Sequence, residues 1–308
     1  MVAELVIQIR NTFLAILFGL LIFSFAGVQA QVVSESAKEL AAKIGKQREA
    51  YQFFVAGHAY GNPDSAENYK GVYPPFYAMW PWLSEEGMAF GAFAGDIVPH
   101  NDPQHWDELE ADLAELPFPK HFVPGNHDLQ AGVMYDEFDK RMGARYHSFR
   151  HENDLFLFID TETNHWRIPD AQLNWIEGEM MRAPEAKNIF IVMHNVVWWE
   201  EDTLSRFHYP TPNSLYNRLP SNFHSDLMPR LQRASQNVYC FAGDTGRNCN
   251  GKALTYWNEA NVHLITTGMG CATESNFVLV KVKKSGKVEL EVKWLDGVDG
   301  GGLKDHRF

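Results

Sequence analysis

Asp96, Asn126, His194 and Asp244 each stand where an apolar run gives way to a glycine-rich or polar turn. The segments read GD at 95 to 96, GNHD at 125 to 128, MHN at 193 to 195 and GDTG at 243 to 246, with GHAYG at 57 to 61 ahead of them. Together the four side chains offer a carboxylate, an amide oxygen, an imidazole and a second carboxylate. That mixed N/O set suits Mn, Fe, Zn or Mg rather than a thiolate site. His127, next to Asn126, is a group able to protonate a leaving oxygen near neutral pH. Singly each segment is an ordinary turn, because Asn, Asp and Gly are the usual turn residues. Recurring in order at successive strand ends, they describe a site.

Such side chains need a frame that brings distant strand ends together. Strand-like apolar runs recur as FFVAG (Phe53 to Gly57), MAFGAFAG (Met88 to Gly95), KHFVPG (Lys120 to Gly125), LFLFID (Leu155 to Asp160), NIFIVM (Asn188 to Met193), NVYCFAG (Asn237 to Gly243) and HLITTG (His263 to Gly268). Helix-like stretches lie between several of them: DPQHWDELEADLAEL before Pro117, and DAQLNWIEGEMMRA, for which Pro169 marks the first turn. The alternation predicts an α/β fold, in which ligands bind at the carboxyl ends of the strands. No internal repeat interrupts the pattern, and one Gly-rich tail, DGVDGGG, follows it from Asp296 to Gly302.

A chain of 308 residues with 45% hydrophobic and 13% aromatic content can bury a large core. Its net charge of -12, with 39 acidic against 27 basic residues and no long Lys/Arg run, argues against a nucleic-acid polymer or an anionic membrane surface as partner. Thr12 to Phe25 (TFLAILFGLLIFSF), preceded by Arg10 and followed by Val28-Gln29-Ala30, reads as a secretory leader cut before Gln31. The expectation is an exported protein, periplasmic or extracellular, with no stable membrane insertion after cleavage. An uncleaved N-terminal anchor is the other reading of the same run. Of the three cysteines, Cys240 lies in an apolar run and reads as a core thiol, leaving Cys249 and Cys271 as the candidate disulfide. The expected organisation is a leader over 1–30, a helical lead-in over 31–49, one domain over 50–296 and a flexible tail over 297–308.

At its strand-ending motifs the chain resembles the calcineurin-like metallophosphoesterases. The likeness is carried in order by GD at 95 to 96, GNHD at 125 to 128, a His after an apolar strand at 194, and the Gly-x-x-x turn at 243 to 246. YHSFRHENDLFLFIDTE (Tyr146 to Glu162) looks like the family's strand pair ending in Asp-Thr, and QLNWIEGEM (Gln172 to Met180) like its following helix. FVLVKVKKSGKVELEVKWL (Phe277 to Leu295) looks like its terminal hairpin, with Ser285-Gly286 in the turn. The resemblance implies a layered β-sandwich flanked by helices, and two metal ions about 4 Å apart that clamp a phosphate ester for attack by hydroxide. It also implies that Asp96 bridges the metals, that Asn126 and His194 hold the second one, and that His127 serves the leaving group or the transition state.

Positions 58, 60, 99, 244 and 246 depart from the family pattern. Where its opening motif has Asp-x-His before a Gly, this chain has His58 and Tyr60; a shifted register would put Ala56 and His58 there instead. The closing Gly-His-x-His reads Gly243-Asp244-Thr245-Gly246, so Asp244 can stand in for the first His while Gly246 cannot replace the second. The Asp that would orient the acidic His is Pro99, with His100 and Asp102 close by in sequence. Counting donors, the second metal keeps a full set in Asp96, Asn126, His194 and Asp244. The first keeps Asp96 with His58 and Tyr60 as replacements, so the expectation is one or two ions of Mn, Fe or Zn.

Two functional readings follow. One is an exported metal-dependent phosphoesterase acting on a small-molecule or glycan phosphate mono- or diester at a modified, mononuclear or dinuclear site. The other is a non-catalytic relative that binds a glycan or phosphorylated ligand in an aromatic-lined cleft. Trp198 and Trp199, directly after His194, are the expected pocket wall, and YPPFYAMWPW (Tyr73 to Trp82) is a second aromatic cluster. Glu200, Glu201 and Asp202 favour a weakly charged ester. No Gly-x-Ser-x-Gly elbow supports a serine mechanism.

Overall fold

The computed structural model describes residues 49–61, 71–129, 136–199, 221–245, 253–270, 274–295 and 299–302. The expected leader, the lead-in, Cys249, Cys271, Gly246 and Glu200 to Asp202 lie outside them. Twelve strands form two six-stranded sheets. The first runs in the order β12 (Asp299–Gly302), β11 (Val288–Trp294), β10 (Asn276–Lys283), β1 (Glu49–Ala56), β2 (Phe90–Ala94), β3 (Lys120–Val123). The second runs β4 (His147–His151), β5 (Asp154–Phe158), β6 (Asn188–Met193), β7 (Asn237–Ala242), β9 (Val262–Thr266), β8 (Thr255–Glu259). The segments β1-β2-β3 and β5-β6-β7-β9 are parallel; β4 and β8 are antiparallel edges of the second sheet.

The apolar runs follow from burial on both faces, which removes the polar alternation of a half-exposed strand. In β1, Phe53 and Val55 face the space between the sheets, while Phe54 and Ala56 face the outer helices. In β6, Phe190 and Val192 point inward, and Ile189, Ile191 and Met193 outward. Aromatic rings fill the inner layer: Phe53 stacks on Phe90 at 4.8 Å, and Phe156 on Phe190 at 4.9 Å.

Over the first sheet lie α1 (Pro74–Tyr77), α2 (Trp80–Glu85) and α3 (Pro103–Leu113), which bury Phe76, Trp80, Leu83, Trp106 and Leu109. The Tyr73 to Trp82 aromatic cluster is therefore largely core. Two short helices follow, α4 (Asn126–Leu129) and α5 (Asp136–Arg141). The second sheet is covered by α6 (Asp170–Met181), a π-helical turn (Phe223–Leu227) and α7 (Met228–Gln232). Pro103 occupies the first turn of α3, whereas Pro169 is the N-cap of α6, one step earlier than expected.

The expected hairpin is β10 and β11, with Gly286 at φ 90° in its turn. Strand β8 (TYWNE) was not among the sequence-predicted runs, being half polar. The expected flexible tail is corrected in part: Asp299–Gly302 pairs with β11 as β12. Cys240 is a free, buried thiol. Among the described residues no helix is long and apolar enough to cross a membrane.

Where β3 meets β4 and β5, His121 stacks on Phe149 at 4.1 Å. Burial, and then the neighbouring His147, lower its pKa from 6.5 to about 4. The unfolded chain therefore binds a proton that the folded chain refuses between those values, so stability falls as pH drops through that window. His121→Phe is expected to flatten this acid limb, as measured by urea unfolding at a series of pH values. An unchanged pH dependence would refute the assignment.

Candidate metal centre

The parallel strands of both sheets end on one edge of the sandwich, and the turns that follow them meet there. Level register places His194 after β6 beside Gly243 after β7. The His194 carbonyl accepts from both Gly243 and Asp244 N–H at 2.9 Å, which seats Asp244 against His194. His194 Nδ1 donates to the Ala94 carbonyl of β2, in the other sheet, at 3.0 Å. That bond fixes the tautomer and leaves the Nε2 lone pair for a cation.

Asp96 is the hub. It sits just past β2 at φ 52°, a left-handed conformation rare outside glycine. Its Oδ1 lies 3.4 Å from His194 Nε2 and accepts the His127 backbone N–H at 3.0 Å, while its Oδ2 lies 3.4 Å from His58 Nε2. The two carboxylate oxygens thus face two separate ligand sets. Burial alone would raise the Asp96 pKa, but His194, His127 and His58 hold it below the usual carboxylate range.

On one side, donor atoms of Asp96, His194 and Asp244 lie within 4.8 Å of one another. Asn126 adds its Oδ1 at 3.4 Å from His194 Nε2, from an exposed position on the rim. Burial pulls the His194 pKa down, but Asp96, Asp244 and Glu162 outweigh it and bring it up to about 9. In the metal-free protein an imidazolium therefore occupies the place a cation would take. The residues fit a divalent ion: convergent oxygens, a lone pair aimed at them and a local excess of negative charge.

On the other side stand His58, at φ 55°, and Tyr60, both buried. The His58 N–H donates to the Gly95 carbonyl at 3.1 Å, and the Tyr60 hydroxyl lies 3.1 Å from His58 Nε2. The Tyr60 ring also rests 5.0 Å from that of His127. His58 Nε2 thus lies between Asp96 Oδ2 and the Tyr60 hydroxyl, whereas Ala56 lies within β1.

The GNHD segment divides its labour. Asp128 is fully buried and accepts from Ile97 and Val98 N–H through Oδ1 and from Gly125 N–H through Oδ2, tying the β2 and β3 turns together. Burial and the Asp96 charge push its pKa up to about 7, against the pull of those three donors. A Cβ on Gly125 would fall 2.2 Å from Asp96 Oδ1, so only glycine lets the turn approach the hub. His127 Nδ1 donates to the Pro99 carbonyl at 2.7 Å. Orientation of His127 therefore comes from the backbone of the residue that replaced the family's Asp. His100 and Asp102 do not perform it: Asp102 caps α3 and pairs with His105 at 2.6 Å, and His100 is exposed, its ring 5.4 Å from that of His105.

Trp198 and Trp199 need correcting. Both are buried, at 1% and 3% exposure, and belong to the core layer under α6, where Trp198 packs on Phe223 at 5.7 Å. They support the site from behind and do not form an open pocket wall, which removes the aromatic cleft they were expected to line.

Glu162 was missed. It follows β5 in the sequence DTE, which looked like a turn, and Asn195 Nδ2 donates to its Oε1 at 2.7 Å. Burial raises its pKa to about 6, with His194, Asp244 and Asp96 also acting on it. An acid two residues past the Asp160 that ends its apolar run was the available signal.

These strand ends belong to a two-sheet α/β sandwich with Asp, Asn-His and His donors on its joined edge. The same fold is seen in purple acid phosphatase PPD1 from yellow lupin (Lupinus luteus) seeds, at a TM-score of 0.59 and 13% identity over 82% of this chain and 53% of that one. A dimetal phosphatase from Danio rerio aligns at a TM-score of 0.56 and 14% identity, over 80% of this chain and 96% of that one. In sequence, 104 residues are 23% identical to the 3',5'-cyclic adenosine monophosphate phosphodiesterase CpdA of Escherichia coli K12; that stretch is 33% of this chain and spans only 38% of the relative's length. No family model matches the chain. The likeness is one of fold: the two-sheet α/β sandwich of these phosphatases.

Proposed function

We propose that the protein is an exported metal-dependent phosphoesterase that hydrolyses a small phosphate ester at a centre with one strong ion site and one weakened one. The observation that carries this reading is Asp96, whose Oδ1 lies beside His194, itself next to Asp244 and Asn126, and whose Oδ2 lies beside His58, itself in contact with Tyr60. A bound divalent ion supplies Lewis-acid polarisation of a phosphoryl oxygen and a nucleophilic water at neutral pH.

The chain's own residues do the rest. Asp96, His194, Asp244 and Asn126 would hold the ion of the strong site. His127, whose Nδ1 donates to the Pro99 carbonyl, is the acid for the leaving oxygen. The weak site follows from chemistry: a phenol ligates only after losing a proton that it ordinarily holds to about pH 10. A preference for a diester over a monoester rests on the phosphodiesterase among the sequence relatives and on the crowding of carboxylates at the centre. Export rests on the leader-like sequence of residues 12–30.

The test is elemental analysis of the purified full chain, with hydrolysis of bis(p-nitrophenyl) phosphate and p-nitrophenyl phosphate under added Mn, Zn or Fe. Turnover is expected, and His127→Ala should lower kcat by about 10²- to 10⁴-fold with metal content retained. A folded, metal-loaded protein that cleaves neither ester under any of the three ions would sink the proposal.

A further inference from the structure

His58 and His194 both face Asp96, but their ring nitrogens are committed differently. His194 Nδ1 donates to the Ala94 carbonyl at 3.0 Å, which leaves Nε2, 3.4 Å from Asp96 Oδ1, as the atom for a cation. In His58 it is Nε2 that is engaged, lying 3.4 Å from Asp96 Oδ2 and 3.1 Å from the Tyr60 hydroxyl. An imidazole nitrogen presents either a proton or a lone pair. With the proton, Nε2 is a donor and has nothing to offer a metal; with the lone pair, it accepts the Tyr60 O–H. Both states commit the nitrogen beside Asp96 Oδ2 to a hydrogen bond.

The turn that carries the pair is set against re-aiming it. His58 holds a left-handed φ of 55°, its N–H donates to the Gly95 carbonyl at 3.1 Å, and its carbonyl accepts the Gly61 N–H at 2.9 Å, while the Ala59 carbonyl accepts the Tyr73 N–H at 2.8 Å. Both side chains are buried, at 3% and 0% exposure, and the Tyr60 ring lies 4.4 Å from that of His58 and 5.0 Å from that of His127. Among the described residues, the His and acid side chains whose donor atoms converge are Asp96, His194 and Asp244, without His58. We propose that the His58–Tyr60 pair stands in place of an ion: it closes Asp96 Oδ2 with a hydrogen-bonded chain, so that the centre is mononuclear, its single ion on the side of Asp96 Oδ1, His194 and Asp244. The inference rests on the metal-dependent reading above and sharpens its weakened site to an unfilled one.

The test loads the full chain with excess Mn(II), removes loosely held ion by gel filtration, and counts the ions per chain by elemental analysis and electron paramagnetic resonance. The native chain is expected to hold a single ion with the signal of an isolated Mn(II). Two ions per chain, or the signal of a spin-coupled pair, overturns the inference. Tyr60→Phe then probes the hydrogen bond directly, because it keeps the ring beside His127 and removes only the hydroxyl. In the Zn(II)-loaded protein this variant should shift the NMR resonance of His58 Nε2 while the ion count stays at one. A His58 resonance that does not move shows that the Tyr60 hydroxyl is not its partner and overturns the inference as well. Should Tyr60→Phe not fold, the ion count of the native chain decides alone. Failure of the native chain to bind Mn(II) or Zn(II) at all would instead remove the metal-dependent reading as a whole.

Discussion

Asp96→Asn is expected to leave the fold standing and empty the centre. Asparagine is the same size and still offers Oδ1 to the His127 N–H, now held at 3.0 Å, so the turn after β2 keeps its anchor. What disappears is the charge that both ligand sets share. Outer-shell losses alone cost metal centres about 10- to 100-fold in affinity or activity, and removal of a bridging ligand should exceed that range. Elemental analysis should show loss of bound ion, and phosphodiester turnover should fall with it.

The metal-free protein offers an independent readout. With one of its flanking carboxylates gone, the pKa of His194 should drop from about 9 toward its ordinary value, which an NMR titration of the imidazole would follow. In the native metal-free chain that raised pKa contributes stability present in full below 6.5 and lost as pH rises through about 9. In Asp96→Asn the same window should narrow from its upper end. A variant that retained its metal, or whose His194 titrated as before, would show that Asp96 is not the hub.

Gly243→Ala is expected to be strongly destabilising. A Cβ at Gly243 would lie 2.0 Å from the Ala94 carbonyl oxygen and 2.7 Å from the Ala94 Cβ, while one at Gly57 would lie 2.3 Å from the Gly243 Cα. Here the ends of β1, β2 and β7 touch backbone to backbone across the two sheets. No flexible side chain can yield, so the sheets themselves would have to part. Overpacking and backbone strain of this kind cost about 3 kcal/mol or more, which for a chain of this size lowers Tm by about 6–12 °C. The same displacement would move Asp244 and His194 away from Asp96, so metal affinity should fall alongside Tm. Gly178→Ala is the control: in α6 the added methyl meets only the end of the Arg182 side chain, at 3.3 Å, and gains helix propensity. A Gly243→Ala protein melting with the control would refute the tight seam.

Much of this architecture was legible beforehand because burial on both faces of a parallel strand leaves a readable apolar run, and because Gly, Asp, Asn and His at its end are few and specific. Seven runs read as strands are strands, and Asp96, Asn126, His194 and Asp244 meet as their order implied. Strand β8 was obscured by its polar edge position, with Trp257, Asn258 and Glu259 on partly exposed backbone. Trp198 and Trp199 misled because a large aromatic next to a ligand reads alike whether it faces the cleft or the core behind it.

The sequence by itself determined the layered α/β class, the order of the polar strand-end turns and which side chains they carry, because each depends on local residue type and periodicity. Only the tertiary structure decided which atoms meet. The Pro99 carbonyl orients His127, the Ala94 carbonyl sets the tautomer of His194, and the Asn195 amide holds Glu162. Those contacts join residues 28, 100 and 33 positions apart in the chain. Two of them end on backbone carbonyls, groups that every residue carries and that no sequence pattern marks. His58 and Tyr60 belong to the same lesson: their residue types depart from the expected ligands, yet the close approach of β1 and β2 still brings His58 to Asp96, with the Tyr60 hydroxyl against His58.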